Sequence, residues 1–388
     1  MYNNYEDAIG FDSGTDLYEG EIRKMMQTNI QTKPMANNEM NEIVRSSNFE
    51  LLRIIAMAMI IGHHLAIHSG FEVNKSLISL NRLVLEFIQS GGKFGVVLFV
   101  MISGYFSIQK TDFKLKKLLV IWGMVEFYSV SFAVCHVLAG GSMTIRELKN
   151  VILPLISEEY WFITSYFLLM LISPVINRGL LQLSKEEFSK FLFIITLAWT
   201  VIPIIFNVSF QGNSVIQFFV IYSIGGYLRL YGFKFTEGWS FAKCLVVGIV
   251  GYVCLFLSCV IIDYVGVYVE IVRPYSQHLF KTNSFFMIVI ATVIFSGFKK
   301  LNLSCTYINN FARLTLGIYL IHDNRYVRPF LWRKLFHNSS LYHSSYLIIY
   351  SVLEIFSVLI CCGIVEYLRQ YIIKRVKLLL LKGKRDKK

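Results

Sequence analysis

The first apolar segment of the chain carries an arginine and a histidine that share one helical face. Arg53 and His64 are eleven positions apart. At about 100° per residue, that spacing is three helical turns plus roughly 20°, and it puts about 16 Å between the two residues along the axis. His63 points roughly 80° away from Arg53 on the same geometry. A neutral imidazole in a partly hydrated cavity can act as a general base near pH 7. The spacing therefore makes His64 a candidate base and Arg53 a candidate charge partner that borders the same cavity.

A purely structural interpretation of this segment stays open. Arg53 can extend its guanidinium to the inner headgroups while the histidines lie at the outer membrane interface. On helix geometry alone the two interpretations carry about equal weight.

Other polar side chains fall inside apolar segments or at their ends. A charged group at membrane depth costs about 2.5–3.5 kcal/mol on insertion scales, so these positions are the next candidates. Glu126 and Glu354 lie mid-segment, and a structural polar contact is favoured over catalysis for both. His322 followed by Asp323 can form an interfacial cap, and Trp161 can be an aromatic anchor at the membrane surface.

The composition indicates that membrane-spanning helices position these residues. Of 388 residues, 55% are hydrophobic and 16% are charged, with a mean hydropathy of +0.54. Soluble domains carry about 25% charged residues. A soluble globular domain, a disordered chain, a collagen-like fibre and a disulfide-stapled secreted fold are thereby excluded. The net charge of +13 is densest at the C-terminal end. This pattern indicates a cytosolic tail near anionic lipid headgroups, or a solvated charge run with no partner, rather than nucleic-acid binding.

Long unalternated apolar runs predict helices, because in lipid the backbone must satisfy its own hydrogen bonds. We expect an all-α integral membrane protein with about ten transmembrane helices in one bundle. The predicted segments are 51–69, 93–109, 118–140, 160–178, 189–207, 214–231, 242–263, 279–297, 306–322 and 346–368.

Loop charges predict that both termini are cytosolic, because basic residues concentrate in alternate loops. The last outer loop breaks this pattern with Arg325, Arg328, Arg333 and Lys334. We expect residues 1–46 to be a disordered polar cytosolic tail, 47–370 to be the transmembrane domain and 371–388 to be a basic cytosolic tail.

Several motifs resemble, in order, those of the acyltransferase-3 family of integral-membrane O-acyltransferases. The Arg53-x10-His64 pair is joined by the lead-in Ser47-Asn-Phe-Glu and by a stretch around Ser103 (Phe99-Val-Met-Ile-Ser103-Gly). Tyr160-Trp161-Phe162 and Thr315-Leu-Gly-Ile-Tyr319-Leu-Ile-His322-Asp323 complete the set. The resemblance runs from about residue 47 to 370. It makes Ser103, Trp161, Tyr319 and His322 further site candidates.

The resemblance implies transfer of an acyl group, most often acetyl, from acyl-CoA to a hydroxyl of a cell-envelope or exported carbohydrate. His64 would then be the base or would carry the acyl group as a relay, and Arg53 would hold the donor or offset negative charge. Lys114 and Lys117 occupy positions where the family tends to carry arginines, so they are expected to attract the CoA phosphates without a bidentate fork. The implied partners are acetyl-CoA or another acyl-CoA, the carbohydrate and the lipid bilayer of the cell (plasma) membrane. No bound cofactor and no metal are expected.

A proton-coupled transporter or flippase of an envelope precursor is the alternative function. It would use the same intramembrane His, Arg and Glu residues as a proton or substrate path. Transporters often show internal repeats and helices broken in matching positions, and the sequence shows neither. The acceptor sugar, the acyl chain, the oligomeric state and the side of the membrane on which transfer occurs are left open by the sequence.

Overall fold

The computed structural model describes residues 46–208 and 214–385. The predicted N-terminal tail therefore lies outside the described residues. In chain order the main helices are α1 Ser47–His68, α2 Leu80–Ser107, α3 Leu115–Leu138, α4 Ile145–Ile152, α5 Trp161–Gln182, α6 Lys185–Phe206, α7 Ser214–Leu230, α8 Phe241–Tyr268, α9 Phe285–Lys300, α10 Thr306–Ala312, α11 Thr315–His322 and α12 Leu347–Arg385.

The all-α membrane fold is confirmed, since the described residues contain no strand. Eight helical stretches are long and apolar enough to cross a membrane, and α7 is a shorter apolar helix of 17 residues. The predicted segment 306–322 is two short helices, α10 and α11, separated at Arg313 and Leu314. The expected count of ten spanning helices therefore stays a prediction.

Helix α2 begins 13 residues before the predicted start at residue 93. The early part of the helix carries polar residues, so it does not form an apolar run in the sequence. Arg82 is nevertheless buried, where it pairs with Asp263 of α8 and with Glu86 one turn along α2. Because these charges are neutralised inside the protein, the helix can continue through them. Lys93 consequently lies inside the helix.

Helix α12 continues to Arg385, past the predicted end at residue 368. Its last turns are rich in Lys, Arg and Leu, which are good helix formers. The part of the predicted basic tail that the structure describes, residues 371–385, is thus helical.

Consecutive long helices alternate in direction, which gives the bundle two ends. The Ser47 end is marked by the backbone N–H of Cys305, which donates to the Ser47 hydroxyl at 2.9 Å. The His68 end is marked by the pairing of His64 in α1 with His322 at the end of α11. Asn177 of α5 donates to the carbonyl of Ser107, so α2 and α5 both end on the Ser47 side.

Glycines allow α2 to approach its neighbours at backbone distance. A Cβ added at Gly104 would clash with the carbonyl of Tyr222 in α7, and one added at Gly225 would clash with the carbonyl of Met101. Ser103 is the neighbour of the first of these glycines. The contact between α2 and α7 therefore fixes a stretch that the sequence marks as a site candidate.

Gly104→Ala is expected to destabilise the protein by about 1–3 kcal/mol, because the new methyl group meets backbone atoms that cannot rotate away. Thermal unfolding of the purified protein in detergent measures this. Gly123→Ala in α3 is the matched control, since a Cβ there meets no atom within 4 Å. An equal loss in both variants would contradict the packing argument.

Candidate functional site

Two buried imidazoles, from α1 and α11, are joined by a hydrogen bond at the His68 end. His64 Nδ1 lies 2.9 Å from His322 Nε2. On its other side, His322 Nδ1 lies 2.6 Å from the carbonyl oxygen of Ile318, one turn earlier in α11. His322 is fully buried and His64 is 6% exposed. The His322 ring therefore fixes the orientation of the His64 ring.

The partners of these rings assign the protons. A carbonyl oxygen only accepts, so the Nδ1 of His322 carries the hydrogen. For two neutral rings, His322 Nε2 then accepts and His64 Nδ1 donates. The unprotonated nitrogen of His64 is Nε2, which is the tautomer that a general base requires.

A carboxylate and a guanidinium lie beside this pair. Asp323 Oδ1 is 3.7 Å from His64 Nδ1 and 3.8 Å from His68 Nε2. Arg328 Nε lies 3.6 Å from the same oxygen. Burial raises the pKa of the Asp323 carboxyl to about 6, and the Arg328 guanidinium opposes that rise. The interfacial cap expected of His322 and Asp323 is thus a buried polar cluster at the end of α1.

His64 lines a cavity of about 200 Å³ between α1, α2, α5 and α11. Two of the other predicted site residues, Trp161 and Tyr319, also line it. The Tyr319 ring centroid is 6.1 Å from that of His64 and 6.0 Å from that of His322. The remaining polar lining consists of His63, His68, Lys93, Glu159, Asp323 and Arg328. The tertiary structure therefore brings four predicted residues together: His64, His322, Tyr319 and Trp161.

The same cluster has ligand atoms that could hold a metal ion. One atom from each of His64, His68 and Asp323 lies within 4.8 Å of the others. The hydrogen-bond assignment, however, puts a proton on His64 Nδ1, which is the nitrogen nearest Asp323. The expectation of a metal-free site stays a prediction.

Arg53 lies away from this cavity, nearer the Ser47 end. It is 7% exposed and its NH1 donates to Glu50 Oε2 at 2.7 Å. It also interacts electrostatically with Tyr166 of α5, whose hydroxyl lies 3.2 Å from the Ser103 hydroxyl. Arg53 and Ser103 thus belong to one buried polar group, and Arg53 is not among the residues that line the cavity at His64. The two side chains share a helix face, as predicted, without sharing that cavity.

Lys114 and Lys117 lie at the Ser47 end of the bundle. Both line a small pocket of about 50 Å³, together with Lys110, between the end of α2, the start of α3 and the middle of α5. Lys117 is buried at 5% exposure. The predicted donor-binding lysines therefore converge at the end opposite to His64.

Of the glutamates predicted at mid-segment, Glu354 is buried. Glu126 is half-buried. The sequence reasoning missed Glu366 of α12, which is fully buried and accepts hydrogen bonds from Tyr128 and Arg369. The hydrogen bonds of Glu366 join α3 to α12, so its role is structural.

The sequence reasoning also missed Lys93, Glu159 and Arg328 as cavity residues. The predicted segment 93–109 begins at Lys93, and the loop-charge pattern assigns Arg328 to an outer loop. The signal that could have found Arg328 was its place in the single outer loop that broke the charge pattern.

An all-α bundle with eight helical stretches long and apolar enough to cross a membrane defines a polytopic membrane protein, and a buried imidazole pair borders its internal cavity. The family model described as "Acyltransferase domain" (acyltransferase-3) matches residues 46–366, and the chain belongs to this family. Neither a curated protein nor a solved structure matches the chain. The protein is therefore a multi-pass membrane acyltransferase, and this favours the enzymatic interpretation over the transporter or flippase.

Proposed function

We propose that the protein transfers an acyl group, specifically acetyl, from acyl-CoA to a hydroxyl of a cell-envelope or exported carbohydrate at the plasma membrane. The observation that carries this proposal is the hydrogen-bonded chain from the Ile318 carbonyl through His322 to His64. It leaves the basic nitrogen on a ring that lines a cavity of about 200 Å³.

In the proposed reaction, His64 Nε2 takes the proton from the sugar hydroxyl as its oxygen attacks the thioester carbonyl carbon. The tetrahedral intermediate expels the CoA thiolate, and the proton held by His64 passes to that sulfur. The products are the O-acyl ester and free CoA. A relay through an acyl group on His64 Nε2 uses the same cavity and the same tautomer.

The donor would approach from the Ser47 end. Lys110, Lys114 and Lys117 concentrate positive charge at one pocket there, which suits the phosphates of CoA. Arg53 lies further along the same helix face toward His64 and would steady the donor or offset negative charge. With the predicted orientation, this end faces the cytosol, where acyl-CoA is found.

Mass spectrometry of envelope glycans from cells with and without the gene tests the proposal. We expect one additional acetyl group per modified sugar only when the protein is present. A catalytically inactive His64→Ala protein at equal abundance is the control for indirect effects. Identical glycans in all three strains would contradict the proposal.

His322→Ala is expected to lower kcat by about 10- to 100-fold with little change in KM, because His64 loses the acceptor that fixes its tautomer. His322→Gln keeps an acceptor oxygen near the position of Nε2 and should recover part of kcat. In the double variant His64→Ala/His322→Ala, the loss of His322 should lower kcat no further than His64→Ala alone, since both residues act through the same base. Additive losses in the double variant would show that His322 acts separately.

A further inference from the structure

Two cations (Lys93 and Arg328) and two carboxylates (Glu159 and Asp323) line the cavity at His64, and they do not all pair with one another. Asp323 faces Arg328, with 3.6 Å between the carboxylate oxygen and Nε. Glu159 accepts a hydrogen bond from Arg325 Nε at 2.6 Å. Each carboxylate of the lining therefore already has a guanidinium, and Lys93 is the remaining charged group.

Lys93 lies at the depth of the histidines. Gly92, which directly precedes Lys93, packs so closely on His63 that an added Cβ would clash with that side chain. The Lys93 ammonium lies 4.7 Å from the ring centroid of Trp161, which lines the same cavity. Among the described residues, no carboxylate lies within ion-pairing distance of this ammonium.

An ammonium at membrane depth whose neighbour is an aromatic ring and no counter-ion is unfavourable. The free energy gained from a cation–π contact is smaller than the free energy lost with the hydration shell and the counter-ion. Such charges mark ligand sites when they face a cavity. Trp161 holds the Lys93 ammonium at the wall of the cavity that His64 also lines. A ligand that brings an anionic oxygen into this cavity would give the Lys93 ammonium an ionic partner.

We propose that Lys93, positioned by Trp161, binds an anionic group of the carbohydrate acceptor, so that the acceptor carries a carboxylate or a phosphate close to the acylated hydroxyl. This inference rests on the proposed function, since it assigns an acceptor subsite to the same cavity. A carboxylate and a phosphate offer Lys93 the same charged oxygen acceptors.

Binding without the acyl donor tests this subsite separately from catalysis. The probes are methyl glucoside, methyl glucuronoside and methyl glucoside 6-phosphate, titrated onto the purified full-length protein in a non-ionic detergent. Saturation-transfer difference NMR reports the affinity for each. We expect the protein to bind at least one anionic probe about tenfold more tightly than the neutral glucoside, as for a charge-assisted hydrogen bond. Preference for the glucuronoside identifies a carboxylate, and preference for the 6-phosphate identifies a phosphate.

Lys93→Gln should remove this preference, and Lys93→Arg should retain most of it. Lys75→Gln, at an exposed lysine beyond the same end of the bundle, is the matched control and should leave the preference unchanged. Absence of charge preference in the unmodified protein, or a preference that survives Lys93→Gln, would overturn the proposal. Charge-selective binding by a protein that transfers no acetyl group would leave the subsite standing and remove the proposed function instead.

Discussion

His64→Ala is expected to reduce acyl transfer by about 10²- to 10⁴-fold, the range that a positioned general base contributes. The residue supplies the unprotonated nitrogen of the His64–His322 pair, and the other predicted cavity residues, Tyr319 and Trp161, carry no group that is basic near pH 7. Acetyl transfer from radiolabelled acetyl-CoA in membranes, normalised to protein abundance, measures the loss. A relay mechanism predicts the same loss together with the disappearance of any labelled acyl-protein.

His63→Ala is the matched control for this prediction. His63 is the neighbour of His64 and lines the same cavity, but its Nδ1 bonds to the backbone carbonyl of Gln89 at 2.6 Å. Its ring therefore ties α1 to α2, and its loss should cost less than about tenfold in activity, as for one hydrogen bond. Full activity of the His64 variant, or equal losses in both variants, would remove the catalytic assignment.

Arg53→Ala is expected to be nearly as damaging to activity as His64→Ala. Arg53→Lys should retain only part of the acyl-transfer activity. Lysine keeps the positive charge but lacks the planar guanidinium with its several donors. The buried carboxylate of Glu50 also loses the guanidinium that lies 2.7 Å away. Breaking a buried ion pair from one side destabilises a protein by about 3–5 kcal/mol, so stability falls together with activity.

A second variant separates these two effects of Arg53. Glu50→Gln combined with Arg53→Ala removes the buried negative charge along with its partner, and thermal unfolding should show that most of the stability returns. If Arg53 holds the donor, acyl transfer stays low in this double variant although the fold is restored. Recovery of activity alongside stability would show that Arg53 serves the fold alone.

Much of the fold and part of the site could be predicted from the sequence. Long apolar runs give helices in lipid regardless of their neighbours, which is why the all-α membrane fold was correct. Helical periodicity alone put Arg53 and His64 on one face of α1. The ordered motifs identified the family, and they named Trp161, Tyr319 and His322 before any contact among them was known.

The errors occurred where charges are neutralised by distant partners. The start of α2 was missed because Arg82 looked like a loop residue, whereas it pairs with Asp263 nearly two hundred positions later. Arg328 looked like an exception to the charge rule for loops, and its carboxylate partner became visible only in the folded chain. In each case the local sequence shows the charge and gives no sign of what compensates it.

Sequence patterns were enough to assign this chain to the helical membrane acyltransferases and to place His64 on the same helix face as Arg53. The folded structure was needed to show which nitrogen of that imidazole is basic, because the answer depends on His322, 258 positions away. It also decided that Arg53 and His64 belong to different polar groups, and that no carboxylate of the described residues lies within ion-pairing distance of Lys93. This difference arises because the burial of an apolar side chain depends on its own transfer from water, which can be judged for each residue in the sequence. Proton positions and charge balance, in contrast, depend on pairs of groups that only packing brings together.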